Sequence, residues 1–477
     1  MKQLRNTKIV CTIGPASEDE ATFRQLIKAG MNVMRLNFSH GDHEEHYKRI
    51  LTARKLNEEL GTNIAVMLDT RGPEIRTHKF EFGGTTLTKG SIVRIAMSEV
   101  LGNAQKFSVT HSDLINDVNI GGKILVDDGN VTLNIIEKDF ENQEIVCVVQ
   151  NDAYIKDRRG INVPGVNLTL DFISERDRAD IEFGCDVNVD FIAASFVRRP
   201  QDVLDLRELL KSKGKEHIKI VAKIENHEGV NNLEEIIKVA DGIMVARGDL
   251  GVEVPLTEVP IIQTEIIRKC HMYGKFVITA TQMLESMHRN PRPTRAEVSD
   301  VANAVLEGSD AIMLSGETAN GKYPIEAVQT MDGIARRMEK AINHREMINL
   351  AMTYRDQEIT KMIGYCVADA ALQLNTAAII CPTSTGYTAR SISQYRPVAP
   401  IIALCPTSQV SRGLALNWGV HPITHKLKSS TDLVISEAVD VTKERYDLLK
   451  GEVVIITAGT PLNTSKSTNM MKIEVIE

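Results

Sequence analysis

Eight short apolar runs, each ending in polar residues and most followed by a helical pattern, constrain this chain more than any other feature. They are Lys8 to Ile13, Val33 to Asn37, Ala65 to Asp69, Phe191 to Phe196, Ile218 to Ile224, Gly242 to Ala246, Phe276 to Ala280 and Ala311 to Leu314. Near-continuous hydrophobicity is what parallel strands covered on both faces require, whereas a half-exposed strand would alternate. Helix signals fill the intervals. Ser17 with Glu20, and Thr294 with Glu297, have the spacing of capping boxes. Leu204, Leu206, Leu209 and Leu210 follow Pro200 near helical spacing, as Ile261, Ile262, Ile266 and Ile267 follow Pro260. Eight such units predict an α/β fold built on a closed (β/α)8 TIM barrel rather than an open doubly wound sheet.

The third unit is interrupted. From Gly72 to about Val166 the helical period gives way to short strands with glycine turns, at Ser91 to Ile95, Lys123 to Val126, Thr132 to Ile136 and Ile145 to Val149. A run of about 90 residues exceeds any ordinary loop, so an inserted small β-barrel domain is predicted at 72–167, between barrel segments 1–71 and 168–343. Its place after a barrel strand puts it over the C-terminal face, as a lid. Residues 344–477 read as a C-terminal open α/β domain, with strands at Ala377 to Cys381, Ile401 to Cys405, Gly419 to Ile423 and Val453 to Thr457. Helices are expected at Lys361 to Leu374, Ala389 to Tyr395 and Asp432 to Glu444.

Composition narrows the function classes. The net charge of −7 over 477 residues argues against a non-specific nucleic-acid binder. No apolar stretch approaches the roughly 20 residues of a membrane span, and no signal-peptide core follows the polar start, so a cytoplasmic protein is expected. Seven cysteines without a CxxC pair read as reduced and structural.

Barrel strands point their C-terminal residues into one bowl, and here the bowl is charged. Thr12 ends the first strand, and Arg35, Asn37 and Ser39 end the second. Asp69, Thr70, Glu74 and Arg76 follow the third, and Ser195 the fourth. Lys223 and Glu225 end the fifth, Arg247 and Asp249 the sixth, Thr281 the seventh, and Ser315 and Glu317 the eighth. Lys223 and Glu225, two apart, share a strand face. They read either as a structural ion pair or, with Asp249 one strand away, as part of a Mg²⁺ site completed by substrate oxygens. The glycines around Asp249 read as a plain strand-to-helix turn or, with Thr281 offering a hydroxyl from the next strand, as a site that an anion can approach closely. Arg35 and Arg76 read as fork-shaped phosphate donors or, alternatively, as surface arginines packing on strand ends. Asn37, Ser39, Asp69 and Thr70 fit a monovalent cation or, alternatively, a hydrogen-bond network between strand ends.

The blocks Thr7 to Pro15, Met31 to Gly41, Leu68 to Thr77, Ile220 to Gly229, Met244 to Glu253, Ile278 to Met287, Asn290 to Val305 and Ala311 to Pro324 resemble the pyruvate kinase family, in order and with its spacing. That resemblance implies transfer of the phosphoryl group of phosphoenolpyruvate to ADP, giving ATP and pyruvate in glycolysis. It implies Mg²⁺ (or Mn²⁺) and K⁺ as cofactors, and a homotetramer. Lys223 resembles the lysine that stabilises the transferring group, and Arg35 the phosphate-binding arginine. Glu225 and Asp249 resemble the Mg²⁺ ligands, while Gly248, Asp249 and Thr281 resemble the cradle of the substrate carboxylate. Asn37, Ser39, Asp69 and Thr70 look like the K⁺ site. Asn37, Phe38, Ser39, His40 and Arg76 look like nucleotide contacts, and Glu74 matches the acidic residue tied to K⁺ dependence. Arg159 stands where many members have lysine, which keeps the charge of a nucleotide contact and changes its geometry.

A Mg²⁺-dependent keto-acid lyase or aldolase and a non-catalytic metabolite sensor are the competing classes. The first has no need of the lid, and the second no need of Lys223. In the C-terminal domain, Thr383, Ser384, Thr385 and Thr388 with Gly386 read as a phosphate nest or a plain polar loop. In regulated pyruvate kinases the corresponding loop holds an effector phosphate. Lys466 would cover the other end of a sugar-phosphate or nucleotide effector.

Overall fold

The computed structural model describes residues 4–353, 358–426, 430–460 and 468–477. Eight parallel strands close into the barrel: β1 (Lys8–Thr12), β2 (Val33–Asn37), β3 (Ala65–Asp69), β4 (Phe191–Ala194), β5 (Lys219–Ile224), β6 (Gly242–Ala246), β7 (Phe276–Ala280) and β8 (Ala311–Leu314). Five match the expected bounds; β1 and β4 stop one and two residues earlier, and β5 starts one later. Alternation on each strand divides two cores. Val10, Val33, Met67, Phe191, Ala193, Val221, Met244 and Ile278 fill the interior. Residues such as Ile9, Leu36, Leu68, Ile192 and Ile224 face the surrounding helices.

The Thr294–Glu297 capping box forms as expected, and that helix ends at Gly308 in the left-handed region. The other does not. The first helix starts at Glu20 with Asp19 as its cap, accepting from the Thr22 N–H, while Ser17 pairs with the backbone of Gly14. Asp19 sits next to the first helical residue and satisfies the orphan donors that Ser17 is too far upstream to reach.

Between β3 and β4 lies a seven-stranded sheet. Its strands run in the order Ile75–Arg76, Gly160–Asn162, Lys123–Val126, Val131–Asp139, Glu144–Val149, Ile92–Ala96 and Lys106–Ser108, and a ribbon of Gly84–Leu87 with Ala153–Lys156 accompanies it. One apolar cluster, including Ile95, Phe107, Leu133 and Cys147, binds the two together. The C-terminal sheet runs Val420–Thr424, Ile401–Cys405, Ala378–Pro382, Val453–Gly459 and Thr468–Val475, the last strand antiparallel.

That sheet docks on the N-terminal end of the barrel. Ala415 and Leu416 join the inner barrel core from below. Asp310, just before β8, takes both terminal nitrogens of Arg396 at 2.8 Å. Asp190, just before β4, takes Arg412 at 2.8 Å, and Lys8 donates to the Val420 carbonyl at 2.6 Å. No helix among the described residues is long and apolar enough to cross a membrane.

Candidate active site

The inward-facing residue changes from apolar to polar toward the C-terminal end of the first five strands: Val10 gives way to Thr12, Val33 to Arg35 and Asn37, Met67 to Asp69, Ala193 to Ser195, and Val221 to Lys223 and Glu225. Parallel pairing sets Asn37 opposite Asp69, and Asp69 opposite Ala193. The buried Asp69 carboxylate therefore meets cations from both sides. Arg35 Nε donates to it at 2.6 Å and Lys223 Nζ at 3.0 Å. Burial alone would raise the Asp69 pKa, but these two cations hold it below the ordinary value.

Lys223 is the hub. Its ammonium also lies 3.0 Å from Glu225 and donates to Ser195 Oγ at 2.6 Å. Burial works against the charge, yet Asp69 and Glu225 overcome it and raise the pKa above that of free lysine, so Lys223 is a fixed cation. Glu225 behaves differently. Burial pushes it up to about 7; Lys223 opposes that, and the neighbouring Asp249 and Asp69 carboxylates add to it. Its Oε2 accepts from the Phe196 N–H at 2.6 Å.

A seven-residue helix, Arg247–Glu253, starts directly at the end of β6 and carries Gly248 and Asp249. The Gly248 N–H donates to Thr281 Oγ1 at 2.8 Å. The nearest atoms a Cβ on Gly248 would meet belong to Thr281, at ordinary contact distance, so internal packing does not demand the glycine. Gly248 and Thr281 are bonded to each other beside Asp249 but do not line the cavity described next.

A cavity of about 440 Å³ opens between the barrel mouth and the inserted sheet. Arg35, Asn37, Ser39, His40, Asp69, Thr70, Glu74, Arg76, Arg159, Lys223, Glu225 and Asp249 all line it. Phe38 does not: its ring is buried, stacked on His46 with centroids 4.1 Å apart, which leaves only its backbone for a ligand. Glu74 is clamped between Arg71 and Arg76. Arg159 lies 3.4 Å from Asp127 and keeps a buried Nε without a hydrogen-bond partner.

Four further residues carried no assigned role in the sequence. Ser195 links Lys223 to the Thr70 carbonyl. Asp127 and Asp128, both with positive φ, bring two carboxylates from the insert to the cavity. Arg198 donates to the Leu168 and Leu170 carbonyls, pinning the irregular segment that returns from the insert. Two acidic residues before a glycine at a strand end, in Val-Asp-Asp-Gly, were the available signal for the Asp127 pair.

The C-terminal loop is less open than its sequence suggests. Thr383 is buried and accepts from the Gly386 N–H, and Thr388 pairs with Thr468. Ser384 and Thr385 are exposed, and Lys466 lies outside the described residues.

Residues 4–328 match the family model "Pyruvate kinase, barrel domain", and residues 361–474 match "Pyruvate kinase, alpha/beta domain". A pyruvate kinase of Geobacillus stearothermophilus is 54% identical over 472 residues, covering 99% of this chain and 80% of the relative. One from Bacillus licheniformis is 52% identical over 473 residues, covering 99% and 81%. The crystal structure of a pyruvate kinase from Cryptosporidium parvum superposes with a TM-score of 0.94 at 40% identity, covering 99% of this chain and 96% of that one.

Proposed function

The chain belongs to the pyruvate kinase family and is an enzyme of that type, and from this premise we propose that the barrel mouth transfers the phosphoryl group of phosphoenolpyruvate to ADP with the help of Mg²⁺ and K⁺. The observation that carries the reading is the charge set, buried except for the half-buried Asp249: three carboxylates, Asp69, Glu225 and Asp249, around two cations, Arg35 and Lys223.

That excess of negative charge fits a divalent cation. Burial and the neighbouring carboxylates push Glu225 up from its ordinary value, a strain that a metal would relieve. No group of three or more His, Cys, Asp or Glu forms a metal cluster among the described residues. Two hard oxygen ligands, Glu225 and Asp249, with substrate oxygens completing the shell, is the arrangement Mg²⁺ favours. Bound there, Mg²⁺ (or Mn²⁺) would neutralise developing charge on the phosphoryl and enolate oxygens.

The protein's own groups do the positioning. Arg35, fixed to Asp69 and Thr12, keeps Nη2 without a protein partner among the described residues and directs it at the phosphoryl group. Lys223 stabilises charge as the bond from phosphorus to the enol oxygen breaks and the bond to the ADP oxygen forms. Gly248, Asp249 and Thr281 receive the substrate carboxylate. Asn37, the Phe38 backbone, Ser39, His40, Arg76 and Arg159 face the nucleotide, and the insert excludes water. The enolate left behind gains a proton at carbon and becomes pyruvate.

For K⁺, Asn37, Ser39, Asp69 and Thr70 supply oxygens, with Glu74 adding charge nearby. An effector phosphate would be held by the exposed Ser384 and Thr385, since Thr383, Thr388 and the Gly386 N–H are already engaged. Reduced cysteines without disulfides among the described residues support a cytoplasmic location. The exposed Ile473 and Val475 on the outermost C-terminal strand support assembly into a homotetramer.

The test is a coupled assay with phosphoenolpyruvate and ADP in which Mg²⁺ and K⁺ are omitted in turn. Activity should require both, with Na⁺ a poor substitute for K⁺, and Glu74→Lys should relax the K⁺ requirement. Full turnover without K⁺ contradicts the monovalent site, and full turnover without a divalent ion contradicts the role given to Glu225 and Asp249.

A further inference from the structure

At the end of β7 the chain turns through two consecutive non-glycine residues in the left-handed region, Thr281 at φ 67° and Gln282 at φ 54°. For a β-branched residue such as threonine this is a strained conformation, and it persists only where the surroundings impose it. The surroundings are largely one side chain. Arg247 donates from Nε to the Ala280 carbonyl at 3.2 Å and from Nη2 to the Thr281 carbonyl at 2.6 Å. Its Nη1 is anchored 2.6 Å from Asp300, on the helix Arg295–Glu307. The residue after Arg247 binds the same threonine by its other end, through the Gly248 N–H to Thr281 Oγ1. Backbone and hydroxyl of Thr281 are thus gripped from two successive residues of the β6 turn, and Asp249 follows at once.

We propose that Arg247 is a positioning residue for the phosphoryl-transfer reaction, locking the strained Thr281 corner against Gly248 and Asp249 so that the two strand ends meet the substrate carboxylate as one rigid unit. The proposal rests on the assignment of Gly248, Asp249 and Thr281 to the substrate. The guanidinium geometry is essential to it. A planar fork reaches two carbonyls on one side and a carboxylate on the other, which a single ammonium cannot do. Without that grip the corner relaxes toward ordinary φ, Thr281 Oγ1 leaves Gly248, and the carboxylate cradle loses its shape. A displacement of about 1 Å at such a site can cost on the order of 10²-fold in rate.

The test compares Arg247→Gln, Arg247→Lys, Thr281→Ala and the Arg247→Gln/Thr281→Ala double variant in the full chain. Circular dichroism reports the fold, and initial rates are titrated separately in phosphoenolpyruvate and in ADP. Arg247→Gln should lose at least about tenfold in kcat/KM for phosphoenolpyruvate with KM for ADP changed by less than about twofold, because the nucleotide groups lie on β2 and the insert. Arg247→Lys should recover only part of that loss. In the Thr281→Ala background the Arg247 substitution should add little, the mark of two residues acting through one contact. If Arg247→Gln fails to fold, Arg247→Lys carries the same comparison. Failure of both to fold, equal losses for the two substrates, strict additivity, or parent-like kinetics while Thr281→Ala is impaired would overturn the role given to Arg247. Parent-like kinetics of Thr281→Ala would instead sink the underlying substrate assignment, and this proposal with it.

Discussion

The two ends of the barrel both bury ion pairs, and they do so in opposite ways. At the N-terminal end two buried carboxylates are each met by arginine. Asp310 binds both terminal nitrogens of Arg396, which sits over the Trp418 ring, and it also accepts from the Val277 and Trp418 N–H groups. Asp190 is shared between Arg54 and Arg412 and accepts from Val66. At the C-terminal end Asp69, Glu225 and Asp249 crowd around Lys223 and Arg35 beside a cavity of about 440 Å³. A closed set of charges stabilises a docking surface; an open one waits for a ligand. The same chemistry of burial therefore gives structure at one end and, as proposed above, a site at the other.

This contrast can be broken from either side. Asp310→Asn should have the largest effect on stability, because Arg396 keeps its buried charge and loses its counterion. A loss of about 3–5 kcal/mol is the scale for breaking a buried pair from one side. Chemical denaturation should register it, while the folded fraction keeps parent-like turnover; unchanged stability would mean that the pair is not closed as described. Lys223→Met should do the reverse. Turnover should fall by at least roughly 10²- to 10³-fold with the fold retained, because the ammonium acts where charge develops. Near-parent turnover would remove Lys223 from the mechanism.

A smaller effect should come from Lys8, buried under the barrel. Burial, with Arg5 nearby, lowers its pKa from 10.5 to about 7. Below about 7 the folded lysine is charged at a cost to stability. As the pH climbs toward 10.5 the folded lysine has lost its proton while the unfolded one retains it, so the cost fades. The parent should thus gain stability relative to Lys8→Met as pH rises through this window. A difference independent of pH would show that Lys8 does not titrate there.

How much of this was legible in the sequence depends on whether a feature is local. The barrel strands were readable because strands covered on both faces must be continuously apolar, and the polar residues that end them are adjacent in sequence to the runs they close. Ser195 was visible as a strand end, but its link from Lys223 to Thr70 joins three strands and has no sequence signal. Short strands such as Lys106–Ser108 and Gly160–Asn162 have too few residues to display a period. Phe38 sits between inward-facing Asn37 and the cavity residue Ser39, and alternation alone turns it to the helix side, where it meets His46. Thr383 and Thr388 looked available because a hydroxyl's partner, here Gly386 or the distant Thr468, cannot be read from composition.

The most direct measurement of the difference between the two ends is a Mn²⁺ titration followed by electron paramagnetic resonance, with and without phosphoenolpyruvate. The parent should bind Mn²⁺, and phosphoenolpyruvate should tighten that binding by completing the coordination shell. Glu225→Gln should lose about tenfold or more in affinity, whereas folded Asp310→Asn should bind as the parent does. Parent-like Mn²⁺ affinity in Glu225→Gln, with and without phosphoenolpyruvate, would contradict the claim that the open cluster at the barrel mouth is the metal-dependent active site.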